Sequence, residues 1–440
     1  MTELIRDRAL RSLPTAQVRH GRLPRPHWWK TLLTAVGAIL SVVLVSGTAL
    51  AGIVAWRFAE NIDQQQLVDA DGNVRQIPTV GDWPGGFNVL LVGVDNAEGQ
   101  TVGGARDAIL NDVNILVHVA EDQQSAVAIS IPRDLIVPIP ACPREDGEGF
   151  YSAMSAQQFN NAYQYGGINC VVLTAEALTG LDIPYAGTIT FDGVAQMSTA
   201  IGGVDVCITE PIIDRFSQLR LETAGTHTIE GYEALAFLRT RYGVGDGSDL
   251  SRISSQQVYL SSMIRKVQTE GVLTDLGALY GLAQVATQSM SLSSSLVSLD
   301  TMVSMARVLA DIPTENIIFL QYPAATGGTG IYANRARPLE AEAQILFDKI
   351  RNGERFALAD DATGSGSVLD PNAPQPSPEP TTEPSPEPTS DAGGESPSPA
   401  PSSTAAPGSP SASPSPSAPE VLDFAQGQTA ADRTCSVANR

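Results

Sequence analysis

At 440 residues, with 27 basic against 48 acidic side chains and a formal charge of −21, the chain has room for a membrane segment, one sizeable folded domain and a tail. That acidic balance excludes generic attraction to nucleic acid, whose binders carry a basic footprint. Only Lys30, Lys266 and Lys349 are lysines, so nearly every cation is arginine, the fork-shaped donor that grips phosphate through paired hydrogen bonds.

The first element is residues 31–56, 26 residues without a charge, long enough to cross a bilayer core of ~30 Å. Arg6, Arg8, Arg11, Arg19, Arg22, Arg25 and Lys30 precede it and acidic residues dominate after it. The amino terminus is therefore expected in the cytoplasm and the bulk outside. Trp28, Trp29 and Trp56 fall at interfacial positions. A cleavable signal peptide is the rival, since Ala49-Leu-Ala51 resembles a cleavage site. The apolar run continues beyond it, which favours an uncleaved anchor. Residues 57–83 read as a juxtamembrane linker, and a folded domain is expected over 84–356.

Within that domain, Phe87–Val94 is an apolar run with the look of a buried strand, and it ends on Asp95. Asp112 stands before a second run, Asn114–Val119. A third, Ser125–Ile131, leads into Pro132-Arg133-Asp134. Further strands are expected at Gly187–Thr190, Val204–Ile208 and Asn316–Gln321. Helices are expected at Ser155–Tyr165, Cys170–Leu178, Gly193–Ile201, Gly231–Leu238, Leu250–Val267 and Leu339–Ile350, with a helical region over Leu273–Asp311. This alternation predicts an α/β fold, a three-layer α/β/α domain with a central mixed sheet.

From Asp361 to Glu420 the chain is mostly Pro, Ser, Ala, Thr, Glu and Gly, a composition that cannot offset ordering entropy. Residues 357–440 are thus expected to be a disordered spacer. The four cysteines, Cys142, Cys170, Cys207 and Cys435, match no zinc spacing, and their even number suits two disulfides with three possible pairings. Cys142 and Cys170 flank one loop-rich region and are paired first, leaving Cys207 with Cys435. Cys207 as a free buried thiol is the alternative.

The densest chemical signal is Arg239-Thr-Arg241, then Ser248-Asp249-Leu-Ser-Arg252, then Gln256. Arg252 and Gln256 lie four apart, on one face of a helix that Ser248 or Asp249 can cap. Guanidinium groups concentrated in an acidic chain read as a clamp for a diphosphate. Carboxylates at strand ends (Asp95, Asp112) beside them suit a Mg2+ ion bridging its oxygens. Gly243–Ser248 is not a P-loop, because no Gly-Lys-Ser/Thr follows.

These blocks resemble the LytR–CpsA–Psr family of cell-wall glycopolymer ligases. The resemblance runs from Phe87 to Lys266 and rests on four blocks in the family's order. They are Leu-Leu-Val-Gly-Val-Asp95; Asp112 with Ile115–His118; Ser130-Ile-Pro-Arg-Asp134; and Gly231-Tyr-Glu-Ala-Leu235 with Arg239, Arg241, Asp249, Arg252 and Gln256. It implies that Asp95 and Asp112 hold Mg2+, and that Arg133, Arg239, Arg241, Arg252 and Gln256 bind the phosphates. Asp249 takes the place of the base that deprotonates the acceptor hydroxyl, with Asp134 its rival. It also implies an apolar tunnel for a prenyl chain, with residues of Cys170–Leu178 as candidates to line it.

Two departures stand out. Leu110-Asn-Asp112 lacks the arginine usual two residues before that Asp, for which Arg106 is the substitute, and Gln158 stands where many members carry Lys. The implied activity is a phosphotransferase that moves a glycopolymer from a polyprenyl-diphosphate carrier to peptidoglycan at the outer face of the cell membrane. A lipid-sensing or wall-binding regulator and a lipid-diphosphate hydrolase are the alternatives.

Overall fold

The structure, a computed structural model, describes residues 28–29, 32–41, 45, 52, 63–75, 86–95, 109–144, 146–272, 275–373 and 419–439. The chain divides into two compact units, Met1–Arg57 and Phe58–Arg440. In the first, residues 32–41 are helical, with Leu32, Leu33, Ile39 and Leu40 exposed. Among the described residues no helix is long and apolar enough to cross a membrane, and apart from residues 45 and 52 the rest of the expected 31–56 span lies outside them.

The second unit is built on an eight-stranded mixed sheet. Its strands are β1 (Asp63–Gln65), β2 (Phe87–Val94), β3 (Asn111–Val119), β4 (Ala126–Ser130), β5 (Tyr185–Thr190), β6 (Met290–Ser293), β7 (Ile317–Gln321) and β8 (Gly427–Thr429). They lie in the order β1-β6-β5-β2-β3-β4-β7-β8. β2 pairs antiparallel with β3 and parallel with β5, and β4 pairs antiparallel with β3 and parallel with β7. The end of β2, the start of β3, and the ends of β4 and β5 therefore meet at one edge.

Both faces of the sheet are covered, because successive strand side chains point to opposite sides. Leu90, Val92 and Val94 pack in one core with helix α1 (Gly167–Thr179) and helix α7 (Glu340–Arg351). Phe87 and Val89 pack in the other with Met305 of helix α6 (Leu299–Asp311). The layers are those the alternation predicted. Val171 and Val172, candidates for a prenyl tunnel, are buried in the first core, Leu173 is buried as well, and none of the three lines the cavity at the charged strand ends.

Helix α2 (Phe191–Ala200) follows β5, with Thr190 accepting from the Gly193 amide at 3.1 Å. Helices α3 (Gly231–Arg239), α4 (Asp249–Thr269) and α5 (Leu276–Ser289) complete the helical set. A four-stranded sheet supports α3 and α4, in the order Gly225–Ile229, Val204–Ile208, Thr434–Ser436, Ser367–Leu369.

Several expectations are corrected. Ser155–Tyr165 is not a helix: Met154–Gln158 is a strand paired with Ile136–Ile139, followed by two 3-10 turns. The open edge of that neighbour outweighed local propensity. Linker residues Asp63–Gln65 add an edge strand beside Met290–Ser293, which interrupts the expected helical region. The domain does not stop at 356. Residues 357–373 continue it, and 419–439 return to supply β8 and a strand of the smaller sheet. Residues 374–418, most of the expected spacer, lie outside the described residues, as does Arg106. The disulfides are Cys142–Cys170 and Cys207–Cys435, with Cα–Cα separations of 5.2 and 4.4 Å.

Candidate active site

The buried run of β2 carries Asp95 to the shared edge of the sheet, where its Oδ1 accepts from the Leu110 amide at 2.9 Å. Asp112 reaches the same place by a different device. Gly93 registers with Val113 and Val94 with Asn111, so Asp112 is the extra residue of a bulge. A bulge of this kind leaves one residue unpaired and re-aims its side chain. Gly93 permits the close approach: a Cβ there would meet Val113 Cβ at 3.0 Å. From the end of β4 the chain turns through Pro132 and brings in Arg133, whose Nη1 pairs with Asp112 Oδ1 at 2.9 Å.

The facing wall comes from the α3–α4 segment. Phe237 is fully buried in the core beneath α3, a burial that stabilises by roughly 2–3 kcal/mol and fixes the end of the helix. Beyond it Arg239 stacks over the Phe191 ring at 4.7 Å, and Arg241 Nε donates to the Gly247 carbonyl at 3.0 Å. Ser248, not Asp249, caps α4, accepting from the Ser251 amide at 3.2 Å.

These groups enclose a cavity of about 250 Å³ lined by Asp95, Asp112, Arg133, Arg239, Arg241 and Arg252, with Phe191, Asp214, Phe216 and Tyr242 among the rest. Four guanidiniums thus face three carboxylates. Burial is the largest influence on Arg133 and works against its charge, but Asp112, Asp249 and Asp134 outweigh it and hold its pKa above the ordinary value. For Arg252 burial dominates and pulls the pKa down, against the opposite pull of Asp249. The Nε of each of these arginines is buried without a hydrogen-bond partner. Buried polar groups are normally satisfied, so orphans beside a cavity mark a place for a ligand.

Not every expected residue touches the cavity. Asp249 lies behind it, its side chain 4% exposed, with Oδ1 2.6 Å from Arg252 Nη2 and Oδ2 accepting from the Arg133 amide at 3.1 Å. Asp134 is also set back, 3.4 Å from Arg241 Nη1 and accepting from Gln158 Nε2 at 2.8 Å. Gln158 thus holds a carboxylate where a lysine is usual. Gln256 is buried and its Nε2 donates to the Leu238 carbonyl at 2.8 Å, fixing the segment that carries Arg239.

Among the lining carboxylates, Asp214 escaped the sequence reading, as did Phe191, Phe216 and Tyr242 among the aromatic residues. Asp214 accepts from Thr240 Oγ1 at 2.8 Å and from the amides of Phe216 and Arg241 at 2.8 and 3.4 Å. Burial pushes its pKa up, yet the hydrogen bonds of Thr240, Phe216, Arg241 and Ser217 outweigh that and hold it below the usual carboxylate range. Nothing in the spacing of Ile212-Ile-Asp214 signals this role.

Residues 58–347 match the LytR_cpsA_psr family. The chain belongs to this family. Among relatives, it is 26% identical over 311 residues to cell wall biosynthesis protein LcpA of Corynebacterium glutamicum, covering 64% of this chain and 59% of that one. It is 28% identical over 279 residues to the polyisoprenyl-teichoic acid–peptidoglycan teichoic acid transferase TagT of Bacillus subtilis, covering 61% and 79%. Among solved structures, a LytR-Csp2A-Psr enzyme from Actinomyces oris aligns with a TM-score of 0.48 at 20% identity over 66% of this chain and 96% of that one. The LytR–CpsA–Psr match stops short of residues 348–373 and 419–439, which here are part of the fold.

Proposed function

We propose that this protein transfers a glycopolymer from a polyprenyl-diphosphate carrier to a peptidoglycan hydroxyl at the outer face of the cell membrane. The observation that carries the reading is the convergence of Arg133, Arg239, Arg241 and Arg252 on one cavity, with two buried Nε donors making no hydrogen bond. The similarity to TagT, a teichoic acid transferase, supports this class of reaction, and the similarity to LcpA, a cell wall biosynthesis protein, supports the setting. The apolar stretch 31–56, basic before and acidic after, supports an anchor that keeps the domain beside its lipid donor.

In this reaction the acceptor oxygen bonds to the phosphorus bearing the sugar. The bond from that phosphorus to the bridging oxygen breaks, and polyprenyl monophosphate leaves. The guanidinium groups neutralise the phosphoryl oxygens as charge moves onto the leaving group, a pre-arranged electrostatic effect. Asp95 and Asp112 offer only hard oxygen donors, fit Mg2+, and would hold it. When bound there, the ion supplies positive charge to the diphosphate oxygens.

Asp249 receives the acceptor's proton in this reading. Because it lies behind Arg133 and Arg252, the reading requires both guanidiniums to swing onto the incoming phosphates and open a path to its carboxylate.

The test is mass spectrometry of the full-length protein incubated with a synthetic polyprenyl-diphosphate saccharide, Mg2+ and a peptidoglycan oligomer. A phosphodiester-linked adduct, absent with Arg239→Ala and absent when the metal is chelated, is the expected result. Free saccharide phosphate alone would replace this reading with the hydrolase, and bound but unchanged lipid would replace it with the sensor.

A further inference from the structure

The loop that presents Arg241 and Tyr242 to the cavity is held by residues far from it in sequence. Val244, fully buried, bridges antiparallel to Ala438. The Gly245 amide donates to the Val437 carbonyl at 2.9 Å, and the Asn439 amide donates to the Gly243 carbonyl at 3.0 Å. Asn439 Nδ2 adds a third bond, to the Tyr242 carbonyl at 3.0 Å. Gly247, at φ +75°, lies close beneath the same side chain: a Cβ there would meet Asn439 Nδ2 at 3.2 Å.

The segment is itself anchored on three sides. Cys435 is bonded to Cys207, Ser436 Oγ lies 2.8 Å from Ser255 Oγ of α4, and the Val437 amide donates to the Gly366 carbonyl at 3.0 Å. These anchors include the helix that carries Asp249 and Arg252. Residues 434–439 therefore tie the two arginine-bearing parts of the site, the 241–248 loop and α4, to one another.

Building on the reading of the cavity as a diphosphate site, we propose that residues 434–439 are a positioning strand for it, with Asn439 its main contact to the Arg241 loop. Without that strand the glycine-rich loop Gly243–Gly247 has many more backbone states open to it. Arg241 would then have to be ordered by the ligand itself, which lowers affinity without altering the chemistry.

The experiment is titration calorimetry of farnesyl diphosphate with Mg2+ on the full-length protein. Asn439→Ala is expected to weaken binding about threefold. Asn439→Pro also lacks the backbone donor to Gly243 and is expected to weaken it about tenfold. Both should leave the melting temperature nearly unchanged, because only contacts to the loop are lost. Adding Arg241→Ala to either variant should weaken binding no further than Arg241→Ala alone, since the strand acts through that arginine.

Wild-type affinity in both Asn439 variants, in a protein whose Arg241→Ala form binds weakly, would overturn the positioning role. Fully additive losses would also overturn it, because the strand would then act on some other group. No binding by the wild-type protein would remove the diphosphate reading itself, and the inference with it.

Discussion

Two cavities at opposite ends of β3 show what distinguishes a site from a space. One, at the His118 end, measures about 950 Å³ and is lined by His118, Lys349, Arg355, Phe356 and Glu420 among others. The other, at the Asp112 end, is about 250 Å³. In the larger cavity the cations are matched near the surface: Lys349 pairs with Glu354 and Glu420 at 3.2 and 2.7 Å, and Arg355 with Asp122 at 2.8 Å. In the smaller one, buried Arg252 and half-buried Arg133, Arg239 and Arg241 converge, and the Nε of Arg133 and of Arg252 makes no hydrogen bond. Convergent unmet polarity, more than volume, marks the place where a ligand contributes most.

The largest effect expected from this contrast is on Asp249. If it serves as base, Asp249→Asn lowers kcat by about 10²–10⁴ with little change in KM. A purely positioning carboxylate would instead raise KM, so steady-state kinetics of the transfer reaction separates the two. Next come Arg239→Ala and Arg241→Ala, each expected to reduce kcat/KM about a hundredfold, the usual scale for one lost electrostatic donor. The matched control is Arg355→Ala, on the larger cavity. Its ion pair is half exposed and screened, so transfer should stay within about twofold.

The smallest effect concerns stability. Burial lowers the His118 pKa from its ordinary 6.5 to about 4. The unfolded chain therefore takes up a proton first, so the contribution of neutral His118 is complete above pH 6.5 and is lost as pH falls from there to about 4. Urea unfolding at stepped pH should show this decline, and His118→Gln should flatten it. Diphosphate affinity should not follow that window if the two cavities are independent. Below it, Asp214 and Asp246, both held under the usual carboxylate range, give up their own contributions.

The parts of the molecule that could be read from the sequence are those where one local pattern decides the outcome. Phe87–Val94 is apolar throughout and became the centre of the sheet with Asp95 at its end. The Arg239–Arg252 block stood out by composition, and the fold gathers Arg239, Arg241 and Arg252 on one cavity. Where tertiary partners decide, the sequence said little. Met154–Gln158 has no apolar period and pairs because an edge was open to it. Gly427–Thr429 and Thr434–Ser436 are three-residue strands rich in polar side chains, following a Pro/Ser-rich stretch. Their reason lies in α4, whose buried Ser261 accepts from Gln428 Nε2 at 2.6 Å, and whose Ser255 meets Ser436. Asp214 was missed on the same ground, because its hydrogen-bond partners are brought to it only by the fold.

The bulge at Asp112 has a consequence for how this scaffold can change. A chain with that residue deleted would restore continuous pairing between β2 and β3, and the sheet would gain in regularity. It would also lose a carboxylate at the mouth of the clamp. Selection for stability alone would therefore favour the deletion, and selection for the charged cavity would oppose it. At this position a regular ladder and a carboxylate beside Arg133 exclude one another.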